Sequence, residues 1–83
     1  MTLYEFNRMN LNDQADYTWQ AGHHLAHRRE GEMMVNLYKL PEFFVEIYVS
    51  DQTEWITRLA GFKNAKRLDA YVDFIDLNDL FHS

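Results

Sequence analysis

The segment from Glu32 to Phe62 constrains the fold of this chain more than any other part of the sequence. Short runs of apolar and β-branched residues alternate with polar turns, a pattern typical of consecutive antiparallel strands. Apolar residues occupy both odd and even positions of these runs, so both faces of the predicted sheet are apolar. One face must form a core, and the other needs a second cover, either a helix of the same chain or a partner.

The composition indicates one small globular domain. Of the 83 residues, 47% are hydrophobic and 16% are aromatic, which supplies many large side chains for a core. We therefore expect a single α+β domain over residues 1–83. The absence of cysteine excludes disulfides and thiolate metal sites. The first ten residues lack the basic and apolar segments of a signal peptide, so the sequence predicts a cytoplasmic protein.

Two helices are predicted before the strands. The capping-box motif Thr2-Leu3-Tyr4-Glu5 predicts a short helix over Leu3 to Arg8. Asn10 or Asn12 is suited to cap a second helix that ends before Gly22. The predicted apolar face of this second helix consists of Leu11, Ala15 and Trp19.

A third helix is predicted after the strands. Asn64 is suited to cap a helix from Ala65 to about Phe74. Its apolar stripe consists of Leu68, Tyr71, Val72 and Ile75. The predicted fold is therefore α+β: a four-stranded antiparallel meander packed against N-terminal and C-terminal helices.

The turns predict how the strands pair. A three-residue loop ending at Gly31, with that glycine in the left-handed conformation, pairs Arg28 with Glu32 and places Leu25 opposite Val35. It also puts His23, Leu25 and His27 on one face.

At the next turn, a two-residue Pro41-Glu42 loop would place Leu37 opposite Glu46 and bury a carboxylate. A three-residue loop places Leu37 opposite Val45 instead, and the cost of burying a charge favours it.

The preferred pairing divides the strand residues into two sets. Val35, Leu37, Val45 and Ile47 form the predicted core. Met34, Tyr38, Phe44 and Tyr48 form the predicted outer face. The register of the fourth strand, Glu54 to Phe62, stays open, because Trp55 points toward Tyr48 in one register and inward in the other.

A further pattern extends over most of the chain. Its positions are Leu11-Asn12, Gln14-Ala15, Trp19, Gly22, Leu25, Arg28, Gly31-Glu32, Val35, Leu37-Tyr38 and Phe44-Val45-Glu46. In this pattern the sequence resembles a group of small uncharacterised bacterial proteins. The resemblance supports a free-standing domain and implies no activity, cofactor or site residue.

Several classes of function are disfavoured by the sequence. The net charge of −5 argues against nucleic acid as a partner, because phosphate backbones attract basic surfaces. No membrane span is evident. The sequence also shows no pair of a nucleophile and a base that would indicate an enzyme. On a strand, His23 and His27 are about 13 Å apart, too far to share a metal ion. We therefore expect neither a metal nor a cofactor.

Three groups of residues remain as candidate sites. Glu46 and Arg58 are predicted among aromatic residues, where the carboxylate is either an acid or base or one half of a cross-strand ion pair. A basic segment with no intervening acid predicts an anion site at the start of the last helix, unless its cations pair with Asp69, Asp73 or acids elsewhere. The residues of this segment are Arg58, Lys63, Lys66 and Arg67.

The third group is the outer sheet face, which predicts an interface because aromatic residues and methionine are enriched there. The alternative is that helices of the same chain cover both faces. The predicted interface residues are Met34, Tyr38, Phe44, Tyr48 and Trp55. The leading hypothesis is a non-enzymatic interaction module that forms a homodimer through this face or an edge strand. The second hypothesis is a domain that binds a small molecule or an anion.

Overall fold

The computed structural model describes residues 1–71 and shows a four-stranded antiparallel sheet between N-terminal helices and a C-terminal 3-10 helix. The strands are β1 (His23–Glu30), β2 (Met33–Lys39), β3 (Phe44–Ser50) and β4 (Ile56–Phe62), and their order in the sheet is their order in the chain. The predicted α+β meander is therefore confirmed. Within residues 1–71, no helix has both the length and the apolar character needed to cross a membrane.

Helix α1 (Leu3–Asn7) begins with the predicted capping box. The Glu5 backbone N–H donates to Thr2 Oγ1 at 3.1 Å, and the Thr2 backbone N–H donates to Glu5 Oε1 at 3.0 Å. Two of the amides that a helix start leaves without partners are thereby satisfied. A helix of five residues is too short to be stable alone, so α1 depends on burying Phe6 against the sheet.

Helix α2 (Leu11–Ala21) is capped by Asn10, whose side chain accepts from the Asp13 backbone N–H at 2.9 Å. Of the predicted apolar face, Ala15 is buried, but Leu11 is 39% and Trp19 is 53% exposed. The helix is rotated so that Thr18 is buried beside Ala15, and the Thr18 hydroxyl donates to the Gln14 carbonyl oxygen at 2.8 Å. The predicted face is therefore wrong at both ends.

The first hairpin has a shorter loop than predicted. Gly31 has the expected left-handed conformation, with φ of 60°. However, Glu30 pairs with Met33, so Arg28 lies opposite Val35 and the predicted pairing of Arg28 with Glu32 is wrong. This register also moves Leu25 away from its predicted position opposite Val35, and Leu25 itself forms a bulge between His24 and Ala26.

The second hairpin adopts the register that the sequence argument rejects. Leu37 lies opposite Glu46 and Val35 lies opposite Tyr48, so the predicted pairing of Leu37 with Val45 is wrong. The turn is closed by a hydrogen bond from the Leu40 backbone N–H to the Phe43 carbonyl oxygen, at 2.9 Å. The carboxylate is buried after all, because other parts of the chain supply partners for it.

The third hairpin fixes the position of Trp55. Strand β4 begins at Ile56, opposite Val49, and Arg58 lies opposite Tyr48, which leaves Thr57 as a bulge. Trp55 therefore belongs to the turn, where it is 76% exposed.

This register gives the sheet two covered faces. We call the side packed against the helices the helix face; Val45, Ile47 and Leu59 contact Phe6 there. We call the other side the arginine face; it carries Ala26, Leu37, Phe44 and Phe62 beneath Leu68 and Tyr71 of the 3-10 helix. The predicted core set is thereby split, with Val35 and Leu37 on the arginine face and Val45 and Ile47 on the helix face.

The C-terminal 3-10 helix (Ala65–Tyr71) begins where the sequence predicts a helix. The Asn64 side chain accepts from the Lys66 backbone N–H at 2.9 Å. Leu68 and Tyr71 are buried, as the predicted stripe requires. The remainder of that stripe, Val72 and Ile75, lies outside the described residues.

Candidate functional site

Glu46 is the centre of the most highly organised polar cluster on the arginine face. It is the one charged residue of β3 and is 1% exposed. Its Oε2 accepts from Tyr71 Oη at 2.7 Å and from Arg28 Nη2 at 3.1 Å, and its Oε1 accepts from Arg67 Nη2 at 2.7 Å. The carboxylate is thus bound by groups from β1 and the 3-10 helix, which offsets the cost of removing it from water.

The protonation states of this cluster follow from burial and hydrogen bonding. Burial raises the pKa of Tyr71 above its ordinary value, and the hydrogen bond to Glu46 raises it further. The phenol therefore stays protonated and donates a hydrogen bond to the carboxylate. Burial acts to lower the pKa of Arg28, but interactions with Tyr71 and Glu46 outweigh that effect and raise it overall. Arg28 is therefore a fixed positive charge beside a fixed hydrogen-bond donor.

Arg58 is on the same face but takes another position. Its guanidinium Cζ lies 4.2 Å from the centre of the Tyr48 ring, a cation–π arrangement. The cross-strand ion pair of Glu46 involves Arg28 and Arg67, not Arg58. Arg28 Nη2 lies 3.5 Å from Tyr48 Oη, so Tyr48 has one arginine over its ring and another beside its hydroxyl.

The predicted basic segment is divided by the fold. Arg67 Cζ lies 4.6 Å from the centre of the Phe62 ring while its Nη2 bonds Glu46, so this cation pairs with an acid distant in sequence. Arg58 shares the arginine face with it. Lys63 and Lys66 are exposed on the surface at the end of β4 and the start of the 3-10 helix.

The predicted interface residues are not brought together. Phe44 and Tyr48 are 8% and 3% exposed on the arginine face, where the chain covers them itself. Met34 and Tyr38 pair with Val49 and Val45, which puts them on the helix face, and both are half-buried. Trp55 is the member that stays mostly exposed. The predicted contiguous aromatic face is therefore separated into two faces and a turn.

In the part of the chain that the structure describes, β1 and β4 are the edge strands of the sheet, and they differ in charge. β1 carries Arg28, Arg29 and Glu30, and Arg29 forms an ion pair with Asp51. β4 carries a single charged residue, Arg58. Charged side chains on an edge strand discourage pairing with another chain, so β1 is the better protected edge.

The histidines of β1 form no metal site in the part of the chain that the structure describes. The Leu25 bulge puts His24 and His27 on one face, instead of His23 and His27 as predicted. The His24 and His27 rings are 6.3 Å apart, and His24 Nε2 lies 3.3 Å from Asn36 Oδ1. Among residues 1–71, no three His, Cys, Asp or Glu side chains are grouped to hold a metal ion.

Two members of the Glu46 cluster, Arg28 and Tyr71, were not among the predicted site residues. They lie 18 and 25 positions from Glu46 in the chain, so no local spacing links them. One signal was available: β3 is apolar on both sides of Glu46, so a sheet covered on both faces buries this carboxylate in either register. Such a carboxylate requires cationic partners.

Comparisons with protein-family models, with curated protein sequences and with solved structures give no significant match to this chain.

Proposed function

We propose that this protein is a non-enzymatic interaction module that forms a homodimer by pairing the β4 edges of two copies, with Trp55 as an anchor. The observation that carries the proposal is the exposure of Trp55, which is 76% exposed immediately before an edge strand. Tryptophan is enriched among the residues that dominate interface energies, and its position beside an edge strand would let Trp55 contact a chain that pairs with that edge.

We propose a contact at a sheet edge because both faces of the sheet are covered. Phe44 and Tyr48 are buried under their own chain, and Phe6 of α1 packs on Val45 and Ile47. A partner would have to displace these elements to reach either face. An edge strand needs no displacement, because its outward backbone N–H and C=O groups are already available for strand addition.

Of the two edges, β4 is the better suited to pair with itself. Its sequence ITRLAGF contains one charge, whereas β1 contains three charged residues and three histidines. Two copies related by a two-fold axis place identical strands antiparallel. If the axis passes through Leu59, Arg58 of each copy lies opposite Ala60 of the other, so no like charges face each other.

Sedimentation equilibrium on the full chain and on Trp55→Ala tests this proposal. We expect the unsubstituted chain to be a dimer at micromolar concentration. Trp55→Ala should weaken dimerisation by at least about thirtyfold, which corresponds to the loss of about 2 kcal/mol typical of an interface anchor.

Trp19→Ala is the matched control, because Trp19 is also an exposed tryptophan, at 53%, but belongs to α2 and not to the turn that leads into β4. It should leave the dimer intact. A monomer at high concentration, or an equal loss in the two variants, would contradict the proposal. Phe44 and Tyr48 are unsuited to this test, since substituting a buried residue would disturb the fold itself.

A further inference from the structure

We propose that the arginine face also binds a phosphate group, held by Arg28, Arg58 and Arg67 around Tyr48. The three guanidinium groups come from β1, β4 and the 3-10 helix, so only the folded sheet assembles them. This site is separate from the proposed dimer contact: Arg58 directs its guanidinium over Tyr48 on the sheet face, whereas the dimer contact uses the backbone edge of β4.

The distances bring the three arginines to one small area. Glu46 and Tyr48 are two residues apart on the same face of β3, which separates them by about 7 Å. Arg28 Nη2 lies within 3.1 Å of Glu46 Oε2 and 3.5 Å of Tyr48 Oη, so it bridges the two positions. Arg67 bonds Glu46 on one side, and Arg58 lies over Tyr48 on the other.

Among the described residues, the charges around this area do not balance. Three guanidinium groups lie around Glu46 and Tyr48, and Glu46 is the one buried carboxylate of residues 1–71. The nearest other acid to Arg28 within the described residues is Glu30, at 3.5 Å from Nη1, and its side chain is 52% exposed. The side chain of Arg28 is only 20% exposed, so its excess positive charge is poorly hydrated. An anion would reduce the repulsion among the three cations.

The arginines have N–H groups that do not bind Glu46 and that can donate hydrogen bonds to an anion. Each guanidinium has five N–H groups, and Glu46 accepts one from Arg28 Nη2 and one from Arg67 Nη2. Arg28 Nε is buried and has no partner among the described residues. Guanidinium forks match the oxygen spacing of phosphate, and a tetrahedral anion can accept from more than one arginine. A phosphate group fits these donors better than a planar carboxylate, which offers only two oxygens.

Thermal denaturation of the full chain with inorganic phosphate tests the proposal, at constant ionic strength set by chloride. We expect phosphate to raise the melting temperature, and acetate at the same concentration to raise it less. In Arg58→Ala the apparent dissociation constant for phosphate should rise about tenfold, because a charge-assisted contact is lost while the Glu46 cluster keeps its partners.

Arg8→Ala is a closely matched control. Arg8 also stacks on a tyrosine, with its Cζ at 5.6 Å from the centre of the Tyr4 ring, but it is the C-cap residue of α1. It should leave the response to phosphate unchanged. No rise specific to phosphate, an equal response to acetate, or equal losses in Arg8→Ala and Arg58→Ala would each overturn the proposal. Trp55→Ala separates this result from the dimer, because that substitution should weaken dimerisation and leave the response to phosphate unchanged.

Discussion

The two faces of the sheet differ in the contacts that hold their covers: one is apolar, and the other combines apolar packing with a buried ion pair. On the helix face, Phe6, Val45 and Ile47 are at most 1% exposed and contact one another through apolar atoms. On the arginine face, apolar residues such as Leu37 and Phe44 are joined by a buried carboxylate bound to two arginines and a tyrosine. Apolar packing is the main contact of the first cover, whereas the second also depends on a buried carboxylate and its cationic partners. Both covers come from the same chain, and within residues 1–71 the strand surfaces left open are the sheet edges.

The largest effect is expected from removing the charge at the centre of the arginine face. Glu46→Gln keeps the size of the side chain but leaves Arg28 and Arg67 without their shared counter-charge. We expect the free energy of unfolding to fall by about 3 kcal/mol, the range found when one member of a buried ion pair is removed. Urea denaturation followed by tryptophan fluorescence measures this loss.

The matched control for this change lies on the neighbouring residue of the same strand. Ile47→Val alters the helix face by one methylene and should cost about 1 kcal/mol. If Glu46→Gln were no more destabilising than Ile47→Val, the charged cluster would not be what fastens the 3-10 helix to the sheet.

A smaller effect, visible in the pH dependence, is expected at Tyr71. Its pKa is raised in the folded state by burial and by Glu46, so the folded chain holds this proton more tightly than the unfolded chain does. The resulting stability is fully present below the ordinary tyrosine pKa of about 10 and is lost as pH rises above it, by at most about 1.4 kcal/mol per pH unit.

Tyr71→Phe should remove the part of the loss of stability above about pH 10 that comes from this tyrosine. It should also lower the free energy of unfolding by about 2 kcal/mol near neutral pH, because a hydrogen bond to a charged acceptor is missing. Urea denaturation between pH 8 and about 11 measures both effects. Tyr4→Phe, at a residue that is 69% exposed, is the control. Its free energy of unfolding should fall at alkaline pH as much as that of the unsubstituted chain. An unchanged pH profile in Tyr71→Phe would contradict the assigned role.

The sequence was sufficient for features that depend on nearby residues. The capping box at Thr2 and the left-handed Gly31 were predicted, and Asn10 was one of two predicted caps, because each feature involves groups within a few positions of one another. The order of helices and strands followed from the same local signals. These signals indicate element types and the places of the turns, but they do not fix loop lengths or identify which distant side chains meet.

For that reason the predicted register of the second hairpin was wrong. An isolated carboxylate is costly to bury, and on that basis Leu37 was not expected opposite Glu46. In the structure the carboxylate has partners from 18 to 25 positions away, and these partners reverse the preference. An acid in a strand that is apolar on both faces is better taken as evidence for a buried ion pair than as evidence against burial.

The most direct test of the proposed dimer compares the two edge strands within one experiment. Hydrogen exchange of backbone amides is measured at concentrations below and above the dissociation constant of the dimer. We expect outward-facing amides of β4, over Ile56–Phe62, to exchange more slowly at the higher concentration, while those of β1, over His23–Glu30, exchange at the same rate. Protection that grows on β1, or on neither edge, would contradict the assignment of β4 as the contact surface.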